Sequence, residues 1–249
     1  VSRIDKEGSR VLGVTLADGE RVVADVVVSN MEVIPAYKQL LGHSGGLMMR
    51  RYEYQYEPAA SGLVVHLGVE GCYEQLAHHN FFFSRDPKEH FAAIHRRKEL
   101  PDDPTIYLVC PTKSDPKLAP EGHEIIKILP HIPYVQDEPY TEADYEELKQ
   151  RVYDKLERMG LKGLRERTVV EDVLTPDDIQ RMYYSNRGSI YGVVADWKRN
   201  YALKAPKQSE RYDNLFFVGG SVNPGGGTPM VVLSGQQAAK RIVERFPPR

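Results

Sequence analysis

The stretch from Leu215 to Phe246 constrains this chain most tightly. Leu215-Phe216-Phe217-Val218 is a continuous apolar run, Gly219 and Gly220 stop it, and Gly225-Gly226-Gly227 follow before an apolar-striped segment reaching Phe246. That order reads as a buried strand, a glycine-rich loop and a helix. Residues without side chains let backbone N–H groups approach a ligand closely. The pattern places Thr228 as N-cap and Pro229 as first helical residue, so the positive helix end faces the loop. Such a corner suits an anionic or electron-rich group, a phosphate or the pyrimidine edge of a flavin among them. A tight corner that binds nothing is the alternative; three consecutive glycines favour the ligand.

With 41% hydrophobic and 27% charged residues, the 249-residue chain builds an ordinary core as one large domain or two smaller ones. A formal net charge of −2 gives no electrostatic footprint for nucleic acid. No apolar run approaches the roughly 18 residues of a membrane span, and the polar opening Val1-Ser2-Arg3 is not a signal peptide. Cys72 and Cys110 are too few for a disulfide framework or a zinc site, so a reducing cytoplasmic setting is the default. The chain has no initiator Met and Val1 starts within a strand pattern, which reads as a fragment. Nothing in the composition speaks to oligomeric state.

From the start, Arg10–Leu16 and Arg21–Ala24 flank Asp18-Gly19, a hairpin signal. Asp25–Asn30 reads as a strand of a parallel sheet, buried on both faces, and Pro35 opens a short helix that Gly42 ends. After a small-residue break at 43–46, Tyr52, Tyr54 and Tyr56 recur at period two and would share one face of an extended segment, where they are ordinary sheet-surface residues or line an apolar channel. Leu63, Val65, Leu67 and Val69 alternate as a strand, and Asn80–Ser84, Thr105–Cys110 and Glu124–Leu129 complete an antiparallel sheet.

Asp86-Pro87-Lys88-Glu89 starts a helix with Phe91 and Ile94 inward. Thr141 starts a longer one, with Tyr145, Leu148, Val152, Leu156 and Met159 on one stripe and Gly160 at its end. Thr175-Pro176 starts a third. Gly188 and Gly192 permit close approach to a large flat ligand. His78 and His79 lack acidic or Cys partners at ligand spacing, so no metal site is expected.

Several chemistries are missing. There is no Gly-x-x-x-x-Gly-Lys-Ser/Thr loop, no Gly-x-Ser-x-Gly elbow, no His-Glu-x-x-His and no Gly-x-Gly-x-x-Gly. If the ligand is a dinucleotide, the element that grips its pyrophosphate is not in this chain.

Residues 171–246 resemble the carboxyl-terminal part of the phytoene desaturase family, the bacterial FAD-dependent carotenoid desaturases and oxidases. The resemblance rests on Thr175-Pro176-Asp177-Asp178, Gly188-Ser189-Ile190-Tyr191-Gly192, and Asn214–Gly220 running into Pro224–Met230 and Leu233-Ser234-Gly235. Ser61–Glu70, Gln75–His79, Asp103–Tyr107 and Ala119–His123 extend it through the middle, and Asp25–Asn30 looks like the family's strand returning into the flavin domain.

The resemblance implies an α/β fold, α+β overall: the carboxyl-terminal part of a flavin-binding Rossmann-like domain (1–45 and 171–249) plus an inserted antiparallel-sheet substrate domain (46–170). It implies FAD in the full-length protein, and weak or no FAD binding by a chain without the Gly-x-Gly-x-x-Gly half. Gly219, Gly220 and Ser221 are expected near the ribityl and pyrophosphate. Gly227, Thr228, Pro229, Met230 and Val231 are expected at the isoalloxazine, and Tyr191 and Tyr54 near substrate. No catalytic acid or base is identified. The implied substrate is an apolar polyene, desaturated by hydride transfer to flavin, with oxidation of carotenoid end groups as the closest rival. A binding or scaffold protein that lost the cofactor is the rival from another class. The family also implies peripheral contact with the inner face of the cell membrane, for which Leu47-Met48-Met49 before Arg50-Arg51 is the local hint.

Overall fold

A computed structural model describes residues 1–247. The chain divides into two compact units, Val1–Ala59 with Gln180–Arg249, and Ala60–Ile179.

The first unit opens with β1 (Arg3–Glu7), β2 (Arg10–Thr15) and β3 (Arg21–Val23), joined as an antiparallel meander with Asp18-Gly19 in its second turn. Next comes β4 (Val27–Ser29), whose Val27 and Ser29 are buried while Val28 is 48% exposed. The expectation of burial on both faces therefore holds for one face only. Val33–Pro35 (α1) continues into a π-helical turn at Ala36–Leu40, and Gly42 follows with φ +69°.

The tyrosine segment is a helix, α2 (Leu47–Gln55), and not an extended strand. Its sequence has no β-branched residue and consists largely of good helix formers. Helical spacing brings Tyr52 and Tyr56 together, edge to face at 5.3 Å, and turns Tyr54 outward to 67% exposure. Met49 and Tyr52 enter the first unit's core with Tyr37 and Phe217. The sequence boundary at 45/46 thus moves to Ala59/Ala60.

The second unit is built on an antiparallel sheet. Its strands are β5 (Ser61–Gly62), β6 (Val64–Glu70), β7 (His79–Phe82), β8 (Ile106–Val109), β9 (His123–Ile132) and β10 (Thr168–Leu174). The main path runs β10-β6-β9-β8-β7, and β5 pairs with β9. Because Glu171–Leu174 pair with Val64–Leu67, β10 belongs here as a whole and the boundary at 170/171 shifts as well. On one face lies α4 (Glu142–Arg158), held at its start by a capping box between Thr141 and Asp144. Tyr145, Leu148, Val152 and Leu156 pack onto Val65, Leu67, Ile126 and Ile128. Met159 is half exposed, since the helix has already ended there and Leu161 takes the inward position.

In α3 (Pro87–Ala92), capped by Asp86, and the π-helical turn Ala93–Arg97 that continues it, the inward residues are His90, Ala93 and Ile94. Phe91 is 57% exposed, contrary to expectation, because the buried stripe runs through His90 and Ile94, four apart. The nearly buried Lys155 ammonium is answered by the carbonyls of Phe83 and Pro104 at 2.8 Å each and by Asp103 at 2.6 Å. A four-residue helix, α5 (Leu164–Arg167), precedes β10. Thr175 and Asp178 cap α6 (Pro176–Tyr183) reciprocally.

The chain then adds α7 (Trp197–Asn200), β11 (Leu215–Phe217) and α8 (Thr228–Arg245) to the first unit. Strand β11 pairs in parallel with β4, Leu215 opposite Val27 and Phe217 opposite Ser29. Asn214 fixes this register. Fully buried, it accepts from the Val11 amide at 2.9 Å and donates to the carbonyls of Val11 and Asp25 at 2.8 and 2.7 Å. One side chain thereby ties the hairpin to the parallel pair. Among the described residues, no helix is long and apolar enough to cross a membrane.

Candidate functional site

The carboxyl ends of β4 and β11 lie side by side, the position where parallel sheets bind ligands. Beyond them sit the loop 218–227 and the residues Asn30–Glu32. Gly219 donates its N–H to Ser234 Oγ at 2.8 Å, and that hydroxyl donates to the Val231 carbonyl. A buried serine on α8 therefore pins the loop's first glycine. Ser221 is buried; its hydroxyl accepts from the Val33 amide at 3.2 Å and its carbonyl from Ala205. The loop is thus anchored to the segment after β4.

The glycines divide by role. A Cβ on Gly192 would lie 2.4 Å from the Gly220 carbonyl oxygen, and one on Gly226 would lie 3.0 Å from the Tyr191 oxygen. One on Gly225 would strike the Lys204 stem. These residues let two stretches of backbone touch, so the space at Gly192 is filled by protein. Gly227 differs: its φ is +104° and nothing stands within 4 Å of a Cβ placed there.

Gly227, not Thr228, is the N-cap of α8. Thr228 is the first helical residue, Pro229 lies in the first turn, and no side chain caps the helix. A residue with positive φ is needed to turn from the loop into the helix, and glycine supplies it without strain. The first turn therefore presents amide donors and the positive dipole end outward, with Thr228, Pro229 and Met230 exposed and Val231 half-buried.

Gly219, Gly220, Ser221 and Tyr191 come together through the Gly192–Gly220 contact, with Gly227–Val231 at the far end of the same loop. Tyr191 is 43% exposed. Tyr54 stands elsewhere on α2, its ring under the Arg199 guanidinium at 5.6 Å. His78 bonds to Ser114 and His79 to Tyr107.

Motif reading passes over Glu32 and Lys204. Glu32 follows the carboxyl end of β4, half-buried, and burial pushes its carboxyl up to about 7. The Asn186 backbone and the Lys204 ammonium partly offset that rise. Burial in turn lowers the pKa of Lys204, whose ammonium also donates to the Val193 carbonyl. An acidic residue three positions past the end of a parallel strand is the signal that would have found Glu32.

Residues 1–243 match the family model described as flavin containing amine oxidoreductase. The chain belongs to that family. The 4,4'-diaponeurosporene oxygenase of Staphylococcus haemolyticus (strain JCSC1435) is 58% identical over 97% of this chain and 48% of that protein. The one of Staphylococcus aureus (strain USA300) is 54% identical over 98% of this chain and 49% of that protein. The chain thus spans about half the length of the curated relatives it matches. Among solved structures, an oxidoreductase from Methanosarcina mazei aligns with a TM-score of 0.59 at 15% identity, over 96% of this chain and 48% of that one. The PF1083 protein from Pyrococcus furiosus aligns at 0.52 and 15%, over 97% and 45%. These last two likenesses concern the fold alone.

Proposed function

We propose that this chain is the carboxyl-terminal half of an FAD-dependent oxidoreductase that oxidises the end of an acyclic carotenoid of the 4,4'-diaponeurosporene type. The observation that carries the reading is identity of 54% and 58% to two enzymes named for that activity, along nearly the whole chain. The loop geometry supports it. Uncapped amides at the start of an 18-residue helix and the open approach at Gly227 fit the electron-rich edge of a flavin.

Bound there, FAD would supply the two-electron acceptor. The chain's own residues orient it. Gly219 to Ser221 would hold the shape of the loop on the ribityl and pyrophosphate side, and the Thr228 and Met230 amides would be the donors offered to the ring. The helix end favours negative charge on a reduced ring by roughly 0.3–2 kcal/mol. An apolar polyene asks little of polar residues. Such a substrate partitions into lipid, so the reading includes access from a membrane surface on the cytoplasmic side.

Of the two carotenoid chemistries, the relatives' names favour end-group oxidation over desaturation. The test gives full-length, FAD-loaded protein 4,4'-diaponeurosporene and, separately, a saturated precursor of phytoene or dehydrosqualene type. Product mass gaining oxygen supports the proposal. Loss of hydrogen with longer-wavelength absorbance from the precursor alone would favour the desaturase. A colourless full-length protein that cannot be reconstituted with FAD would leave only the scaffold reading.

A further inference from the structure

Beside α8, the segment 199–208 and Asn223 of the loop border a cavity of about 420 Å³. Four cationic residues line it, Arg199, Lys204, Lys207 and Arg241, and no acidic residue does. Two of these charges are answered elsewhere. Arg199 is paired with Glu57 and lies over the Tyr54 ring, while Lys204 donates to the Val193 carbonyl and faces Glu32.

The other two are not answered. Among the described residues, neither the Lys207 ammonium nor the Arg241 guanidinium has a hydrogen-bond or ion-pair partner. Lys207 is only 8% exposed and lines the cavity, while Arg241 is exposed at its edge. Burial and the neighbouring Arg241 both act to lower its pKa. Two cations held at one cavity without a carboxylate repel each other, and a partly buried ammonium without a counter-charge is unfavourable. An anion would relieve both. Arg241 lies thirteen positions along α8 from Thr228, about 20 Å at helical rise, so its end of the cavity lies away from the open helix start.

We propose that Lys207 and Arg241 form a binding site for a phosphate ester. Two unanswered positive charges match the charge of nearly −2 that a phosphate monoester carries at neutral pH, where a carboxylate would match one. A guanidinium adds a planar fork that fits two phosphate oxygens, with the ammonium as a point charge beside it. Asn223 also lines the cavity; its Oδ1 accepts from the Lys204 amide, which leaves its NH2 group as a further donor. The cavity is of the size that holds a small ligand. The phosphate can belong to a soluble ester or to a lipid headgroup, since the chemistry is shared.

The test uses the full-length protein at fixed ionic strength. Calorimetric titration with inorganic phosphate probes the soluble source, and co-sedimentation with phosphatidic acid vesicles, against phosphatidylcholine vesicles, probes the headgroup. Saturable binding at one site in either arm, weakened about tenfold or more by Lys207→Met and by Arg241→Gln, is the expected result. Arg241→Lys should recover part of it. Arg245→Gln, which removes a cation of the same helix that pairs with Asp213, should leave it unchanged. Circular dichroism and flavin content of each variant report that it is folded. Absence of saturable binding in both arms, or binding that survives both substitutions, or equal loss with Arg245→Gln, would overturn the proposal. Because flavin loading is read separately, failure here leaves the oxidoreductase reading untouched.

Discussion

Replacing Glu32 by glutamine isolates what its buried charge costs. The carboxyl moves from an ordinary 4.5 to about 7, chiefly because burial disfavours the carboxylate. At about 1.4 kcal/mol for each tenfold change in proton affinity, that difference corresponds to about 3 kcal/mol. The folded chain holds this proton more tightly than the unfolded chain does. Its contribution is therefore complete below the unfolded value of 4.5 and is lost as pH rises through about 7. Between about pH 5 and about pH 8 the wild-type protein should lose about 2.5 kcal/mol from this group. Glu32→Gln keeps an acceptor oxygen for the Asn186 backbone but cannot ionise, so it should lack that part of the slope. Urea unfolding of both proteins across the pH series, followed by circular dichroism, gives the difference directly. A wild-type-minus-variant curve flat across the window would refute the reasoning, and one sloping the other way would mean that Lys204 outweighs burial.

Gly192→Ala should destabilise strongly, by more than about 2 kcal/mol, because its Cβ meets the Gly220 carbonyl and its φ is +71°. Gly227→Ala should cost only the strain of a positive φ, about 1 kcal/mol, since its surroundings are open; thermal unfolding of the pair reads the contrast. Asn214→Ala should cost about 2–4 kcal/mol by leaving the Val11 amide and two carbonyls without a partner. It should also speed hydrogen exchange at the Val11 amide. Thr141→Ala should lower stability by about 1 kcal/mol through loss of the capping box on α4, measured by urea midpoint.

Local signals carried far in this chain. Asp18-Gly19 did make a hairpin, Thr175 and Thr141 did cap helices, and alternation from Leu63 to Val69 did make a strand with one face buried. Each of these is decided by residues within a turn or two of one another. Where two periods fitted the same letters, tertiary packing chose between them. Tyr52, Tyr54 and Tyr56 read as strand at period two, but Met49 and Tyr52 at helical spacing reach the core, and the helix won. Contacts between distant positions left no local mark. Asn214 meets Val11 across two hundred residues, and Glu32 feels the charge of Lys204 from a segment far along the chain.

The glycines show most clearly what that blindness hides. From the sequence, every glycine in 188–192 and 219–227 has the same meaning, a place where backbone can come close to something. The structure divides them by what comes close. At Gly192, Gly220, Gly225 and Gly226 the neighbour is this chain's own backbone or the Lys204 stem. Substituting them would test the loop's shape and say little about a ligand. At Gly227 nothing stands within 4 Å, and there the glycine also supplies the positive φ that starts α8 without a capping side chain. The part of the motif left open therefore contracts to Gly227 through Val231. A flavin-binding defect confined to that short stretch, with folding intact, is the pattern that separates a cofactor contact from a packing one.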